Sequence, residues 1–334
     1  MIRNVCMILA VAAAGVVTAA ERPNVVLIIS DDYGFPDYGF MGSPHVLTPN
    51  LDRLASEGLT FTCGYVTTAL CSPSLTTLLT GLPPHRHGVT GNDLAARKDR
   101  PGVGSMRGDR RPLIERLLAN SFLLPRELSR AGYRTMQTGK LWNVGFAEIG
   151  FTDGMTRPGG RHGGEGLSIG REGMQPIFNF VDSSLRGKRP FFVWYAPFLP
   201  HTPHTPPERL LARHAGKGPT SEAEKYFAMV GWLDETIGEL DGFLERRGVK
   251  DNTLVVYLVD NGWDAALGDQ GRRAKRSPYE LGVRTPILVR WRARIQPRRD
   301  DETVVLDIVP TILAATGLSA PERLSGVSLM GGPP

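Results

Sequence analysis

Two pairs of side chains in this 334-residue sequence have the composition of a cation site: Asp31-Asp32 and Asp260-Asn261, each directly after a short apolar run. All four side chains can ligate through oxygen. Hard divalent cations such as Ca²⁺ and Mg²⁺ select oxygen, and the sequence has no Cys/His cluster of the kind that holds zinc. A lone Asp-Asp pair after a strand is ordinarily a turn or a helix cap; an Asp-Asn pair in the matching position favours the ligand reading. A third apolar run leads into Pro200-His201-Thr202-Pro203-His204. Carboxylates and an amide brought together would repel or stay unpaired unless a cation or cationic side chains neutralised them.

The apolar runs indicate how the chain brings these groups together. Asn24–Ser30 is continuously apolar after its first residue and too short for a typical helix, which predicts a strand buried on both faces of a parallel sheet. Residues 191–195, 253–259 and 286–291 read the same way, and 133–138 is a weaker candidate. Helical patterns lie between them, at 50–56, 113–130 with a break near Pro125, 176–185 and 221–247. In the last, Phe227, Val230, Leu233, Ile237, Leu240 and Leu244 keep helical spacing. Ser221 is its expected N-cap, Glu224 completes a capping box, and Gly248 closes it. Alternating strands and helices predict an α/β domain with helices on both faces of a mainly parallel sheet. Ligands of such sheets collect beyond the carboxyl ends of the strands, where both acidic pairs and the His201 loop fall. A basic loop at 97–111 and a Gly-rich loop at 156–173 either border that site or cover surface.

With 41% hydrophobic and 22% charged residues the composition is that of a globular protein. The formal charge of +5 is a mild excess, compatible with anionic substrates. Basic residues are scattered among acids rather than grouped on one helix or arm, which argues against nucleic acid as a partner. At the N-terminus Arg3, an apolar run over 5–17 and small residues Thr18, Ala19 and Ala20 have the layout of a cleavable secretory signal covering 1–20. That run is shorter than the ~20 residues that span a bilayer, so a periplasmic or secreted protein with no stable membrane span is expected. Cys63 and Cys71 remain in the mature chain; they can form one disulfide, or Cys63 is a small core residue.

Several of these segments together resemble the sulfatases, a branch of the alkaline-phosphatase-like superfamily. Residues 22–34 look like the family's first strand and metal-binding turn, and 48–58 like the helix that follows. Residues 71–81, CSPSLTTLLTG, look like its signature, and Lys140, His201, Asp260-Asn261 and Lys275 appear in family order. The resemblance implies an alkaline-phosphatase-like fold over 21–334, with a C-terminal subdomain that is short or missing here. It implies calcium as the cofactor, with magnesium an alternative, held by Asp31, Asp32, Asp260, Asn261 and the modified Cys71. It implies that a maturation enzyme converts Cys71 to formylglycine, whose hydrated form attacks the sulfur of a sulfate ester and then expels sulfate. Lys140 and Lys275 would hold sulfate oxygens. His201 would contact sulfate or protonate the leaving oxygen, with His204 the alternative. His85 either supports the site or lies on the surface.

The sequence departs from the family pattern in two positions of chemical weight. Leu75 stands where the family has an arginine that touches the modified residue and sulfate; Arg86 is a candidate substitute. Asn143 follows Lys140 where a histidine is common. The expected activity is hydrolysis of a carbohydrate or small-molecule sulfate. Two alternatives stand beside it: a catalytically silent protein that binds sulfated ligands, and a phosphate or phosphonate ester hydrolase. Superfamily phosphatases place Ser or Thr at the nucleophile and use zinc, which the residues here do not match.

Overall fold

The computed structural model describes residues 22–92, 111–141, 144–158, 162–268 and 272–331. Its strands are β1 Asn24–Ser30, β2 Leu59–Tyr65, β3 Arg134–Gly139, β4 Asp153–Gly154, β5 Phe191–Ala196, β6 Thr253–Val259, β7 Arg284–Arg290 and β8 Arg298–Val304. They form one sheet in the order β4-β3-β5-β1-β6-β7-β2-β8. Only β7 runs against its neighbours; the other pairings are parallel. The helices are α1 Pro49–Ser56, α2 Cys71–Thr80, α3 Pro84–His87, α4 Arg111–Asn120, α5 Leu124–Arg130 and α6 Phe146–Ile149. They continue with α7 Gln175–Arg186, α8 Glu208–His214, α9 Ser221–Arg246, α10 Glu280–Val283 and α11 Ile308–Thr316.

Strand side chains alternate between two cores, one on each face of the sheet. Val26, Ile28, Val193, Tyr195, Val255 and Tyr257 pack with α1, α7 and α9. Val25, Leu27, Ile29, Phe192, Trp194, Leu254 and Val256 pack with α2, α5 and α11. Both faces of the central strands are therefore apolar, which is why these runs read as continuous rather than alternating. No helix among the described residues is long and apolar enough to cross a membrane.

Two expectations need correction. Thr220, not Ser221, caps α9: its hydroxyl accepts from Ala223 N at 3.1 Å, and Glu224 instead accepts from Gly218 N. Cys63 is half-buried rather than in the core, its sulfur 3.2 Å from Arg284 Nη2, and both Cys63 and Cys71 are free thiols. The break expected near Pro125 is present, dividing the helical pattern at 113–130 into α4 and α5, with Pro125 in the first turn of α5, where proline's missing N–H costs nothing.

Long-range caps fix the scaffold. Asp234, buried in the middle of α9, accepts from Asn50 N and Leu51 N and so caps the first turn of α1. Below the β1 turn, Tyr38 and Tyr257 share a hydroxyl contact of 2.8 Å, Tyr257 continues to Ser30, and Tyr226 donates to the Asp37 carboxylate.

Candidate active site

The register of β1 on β6 pairs Ser30 with Val259, so Asp31 and Asp260 leave the sheet side by side at its carboxyl edge. Asp260 N donates to Ser30 O at 2.9 Å, and Asp32 N donates to Asp260 Oδ1 at 3.2 Å. Asp32 sits at φ +58°, a left-handed conformation that Asp and Asn tolerate best after glycine. Both glycines at this edge are there for close approach. A Cβ on Gly139 would lie 1.8 Å from Ala196 O, and one on Gly262 would lie 1.9 Å from Leu281 O.

Asp31, Asp32, Asp260 and Asn261 are each at most 1% exposed, as is Cys71, the first residue of α2. One ligand atom from each of Asp31, Asp32, Cys71 and Asp260 lies within 4.8 Å of the others. Asn261 joins them through Nδ2, which donates to Asp32 Oδ1 at 2.7 Å. Cys71 Sγ is 3.9 Å from Asp31 Oδ1. Two buried acceptors in this cluster, Asp31 Oδ2 and Asn261 Oδ1, have no hydrogen-bond partner.

Cations reach the cluster from two sides. Lys140, turned in from the end of β3, places Nζ 2.5 Å from Asp31 Oδ1 and 3.4 Å from Asp260 Oδ2. Lys275, from the loop between β6 and β7, places Nζ 2.6 Å from Asp32 Oδ2. His201 Nε2 is 3.2 Å from the same oxygen, while its Nδ1 donates to Thr202 O. Three carboxylates thus meet two ammonium groups, and the imbalance shows in the proton affinities. Burial, reinforced by Asp31, pushes Asp260 up to about 7; burial also raises Asp31 despite Lys140. For Asp32 burial is outweighed by Lys275, His201 and Lys140, which bring it to about 2. Burial opposes the charge of both lysines, but their carboxylate partners outweigh it and keep them ammonium ions. Burial and then Asp260 push the Cys71 thiol well up, so the sulfur is protonated and a poor nucleophile. Burial draws His201 down to about 4, leaving a neutral ring at neutral pH.

The eight residues singled out in the sequence therefore lie in one cluster. The contact with Asp32 belongs to His201. His204 instead packs on Tyr226 and Trp263, with Nε2 buried and unpartnered. His85 is exposed on α3, the surface reading. Leu75, one turn after Cys71, is 1% exposed and belongs to the core on the α2 face. Arg86 does not replace the missing arginine: it is exposed and donates to Arg323 O and Ser325 Oγ. Asn143 and residues 97–110 of the basic loop lie outside the described residues.

Two neighbours were not anticipated. Phe198 stacks on the His201 ring at 4.1 Å between centroids, with Lys140 Nζ 5.6 Å from its own. Arg171, from the Gly-rich loop, lies 5.3 Å from the Phe198 centroid and donates to Phe198 O and His201 O. It holds the His201 loop in place. Only the Gly-rich composition of 156–173 pointed toward it.

A mainly parallel sheet whose carboxyl edge gathers carboxylates beside a buried residue at a helix N-terminus has the alkaline-phosphatase-like fold. The sulfatase family profile matches residues 23–318. The chain belongs to the sulfatase family, the sulfuric ester hydrolases. It is 31% identical to human (Homo sapiens) arylsulfatase A over 97% of this chain and 69% of that protein. It is 28% identical to the N-acetylgalactosamine-6-sulfatase of Canis lupus familiaris over 97% of this chain and 68% of that protein. Among solved structures, Ps i-CgsB in complex with k-i-k-neocarrahexaose is similar at a TM-score of 0.73 and 25% identity, covering 92% of this chain and 75% of that one.

Proposed function

We propose that this protein is an exported hydrolase of carbohydrate or small-molecule sulfate esters that works with a divalent cation and a formylglycine made from Cys71. The observation that carries the reading is the convergence of Asp31, Asp32, Asp260 and Asn261 beside Cys71, with two buried oxygens unpartnered. All-oxygen donors and orphaned acceptors suit Ca²⁺, with Mg²⁺ the alternative. A cation held by Asp31, Asp32, Asp260, Asn261 and the modified residue 71 would supply Lewis-acid stabilisation of a sulfate oxygen. Formylglycine would supply a geminal diol, one oxygen to attack sulfur and the other to expel sulfate.

The remaining work falls to side chains of this chain. Lys140 and Lys275 bind the sulfate oxygens from opposite sides and neutralise the carboxylates between turnovers. At neutral pH His201 has its Nδ1 proton held by Thr202 O and turns an unprotonated Nε2 to the site, which must first take up a proton before passing one to the leaving oxygen. Phe198 and Arg171 keep that ring in position. The buried, protonated thiol is a poor nucleophile as it stands, which supports conversion of Cys71 before catalysis. The names of N-acetylgalactosamine-6-sulfatase and the oligosaccharide complex support a sulfated glycan as the substrate class. An N-terminal signal over 1–20, a catalytic domain over 21–334 and a periplasmic or secreted location complete the proposal.

A silent binding homologue is the second reading, favoured by Leu75 in the core where sulfate contact is expected. Mass spectrometry of the tryptic peptide running from Leu54 to Arg86 separates the two, since no Lys or Arg lies between. Protein from a host with the maturation enzyme should carry an aldehyde at residue 71 and hydrolyse an aryl sulfate faster than the matched aryl phosphate. An intact thiol with no turnover supports the silent reading; faster phosphate turnover supports a phosphatase.

A further inference from the structure

Cations also gather at the edge of the sheet opposite the catalytic cluster, where β1, β5 and β6 begin. Two adjoining depressions there, of about 650 and 460 Å³, share Arg22 and Asn252 in their walls. Both are within the range of small-molecule sites. Lys188 and Arg189 line the larger and Arg294 the smaller, and among the described residues no carboxylate lines either. Two acids adjoin lining residues in the sequence: Glu21 lies outside the described residues, and Asp251 is paired with Arg292 at 3.1 Å.

These cations are placed rather than loose. Arg22 Nη1 donates to Ala131 O at 2.6 Å, and Arg189 donates to Gly132 O and Tyr133 O. One turn therefore holds two guanidinium groups that stay exposed. Lys188 is the unusual member. It closes α7 in a left-handed conformation, φ +51°, with Gly187 one position earlier at an ordinary φ of −77°. Glycine at 188 would close the helix at a lower backbone cost. Among the described residues it has no ion pair.

We propose that this groove binds a segment of a sulfated polysaccharide. Forked guanidinium donors and an ammonium suit sulfate oxygens, and the Asn252 amide suits hydroxyls. A membrane surface would be met by apolar side chains beside the basic ones. Among the described residues the exposed large apolar ones, Leu47, Leu267, Tyr279, Val304 and Val327, all lie outside the groove. A nucleic-acid strand would be met by exposed aromatic rings for base stacking, and the only aromatic ring among the lining residues, Trp291, is 6% exposed. The groove and the catalytic cluster lie at opposite ends of β1, about 23 Å apart along its seven residues. A polymer can be tethered there while another part of it is hydrolysed; a monosaccharide sulfate cannot. The choice of a sulfated chain over other polyanions rests on the proposed function.

The test uses the full chain with Cys71→Ala, so that binding is read without turnover, and fluorescein-labelled chondroitin sulfate as the probe. Lys188→Glu with Arg294→Glu alters two lining cations that have no hydrogen bond to the scaffold among the described contacts. The double variant should weaken binding at least tenfold at 50 mM salt and flatten its salt dependence. Restored to Cys71, it should hydrolyse a small aryl sulfate within twofold of the parent. Lys217→Glu with Lys225→Glu, an equal charge change in the loop before α9 and on α9 itself, should leave affinity within twofold. Unchanged affinity in the groove variant, an equal loss in the control, or tighter binding of duplex DNA or anionic vesicles would each overturn the proposal. Failure of the parent to hydrolyse aryl sulfate, with glycan binding intact, would count against the proposed activity alone.

Discussion

Replacing Lys140 by methionine tests the charge balance on which the site depends. Methionine keeps the unbranched stem beside Phe198 and deletes the ammonium that lies 2.5 Å from Asp31 Oδ1 and 3.4 Å from Asp260 Oδ2. Both carboxylates are at most 2% exposed, so no water replaces the lost partner. Removing one member of a buried ion pair costs about 3–5 kcal/mol, and two acceptors orphaned at once place this variant near the upper end. Urea unfolding followed by tryptophan fluorescence, in EDTA, should show that loss at an unchanged m-value. Saturating Ca²⁺ supplies positive charge to the same carboxylates and should return at least half of it. Aryl sulfate turnover should fall roughly 10²–10³-fold and not recover with Ca²⁺, since a lost oxyanion donor costs about that much. A loss under about 1 kcal/mol in EDTA, well below the range for a broken buried pair, or an equal loss with and without Ca²⁺, would refute the counter-ion argument.

Other consequences can be checked independently. Burial raises Asp37 to about 7, above its unfolded value of 3.8, so the folded state binds the extra proton and stability falls as pH rises from about 4 to about 7. Asp37→Asn should remove much of that slope, on the order of 1.4 kcal/mol for each pH unit crossed, and raise Tm at pH 8. Asp234→Ala should cost about 2–3 kcal/mol in chemical denaturation, because α1 loses its cap and two backbone donors lose their acceptor. Thiol titration of unmodified native protein should count Cys63, half-buried beside Arg284, before Cys71, which should react only on unfolding; equal reactivity would contradict the buried placement of residue 71.

Elements with an apolar pattern were legible in the sequence. The runs at 24–30 and 253–259 are strands with those bounds, and that at 191–195 falls one residue short. Buried parallel strands must be apolar on both faces, so they cannot hide. β8 was not legible, because RRDDETV is an edge strand whose side chains are mostly exposed and carry no apolar period. β2 was missed for a related reason: Thr60 and Thr62 interrupt its apolar residues, and its register on β7 shifts between Phe61 and Gly64. Thr220 and Ser221 are equivalent as capping types, and only the backbone conformation of the preceding turn selects between them.

By itself the sequence determined which groups arrive at the carboxyl edge: carboxylates after two apolar strands, a histidine loop after a third, and a cysteine opening a helix. Those are local matters of residue type and spacing, set by periods of two and 3.6 residues. Only the tertiary structure decided which charge meets which. Lys140 serves Asp31 and Asp260, Lys275 serves Asp32, and Arg86 turns to the C-terminal segment. It also decided that Arg22 and Lys188 share a groove. Such pairings join residues as far apart as 243 positions, as Lys275 and Asp32 are. They depend on strand order and register, which no local pattern encodes.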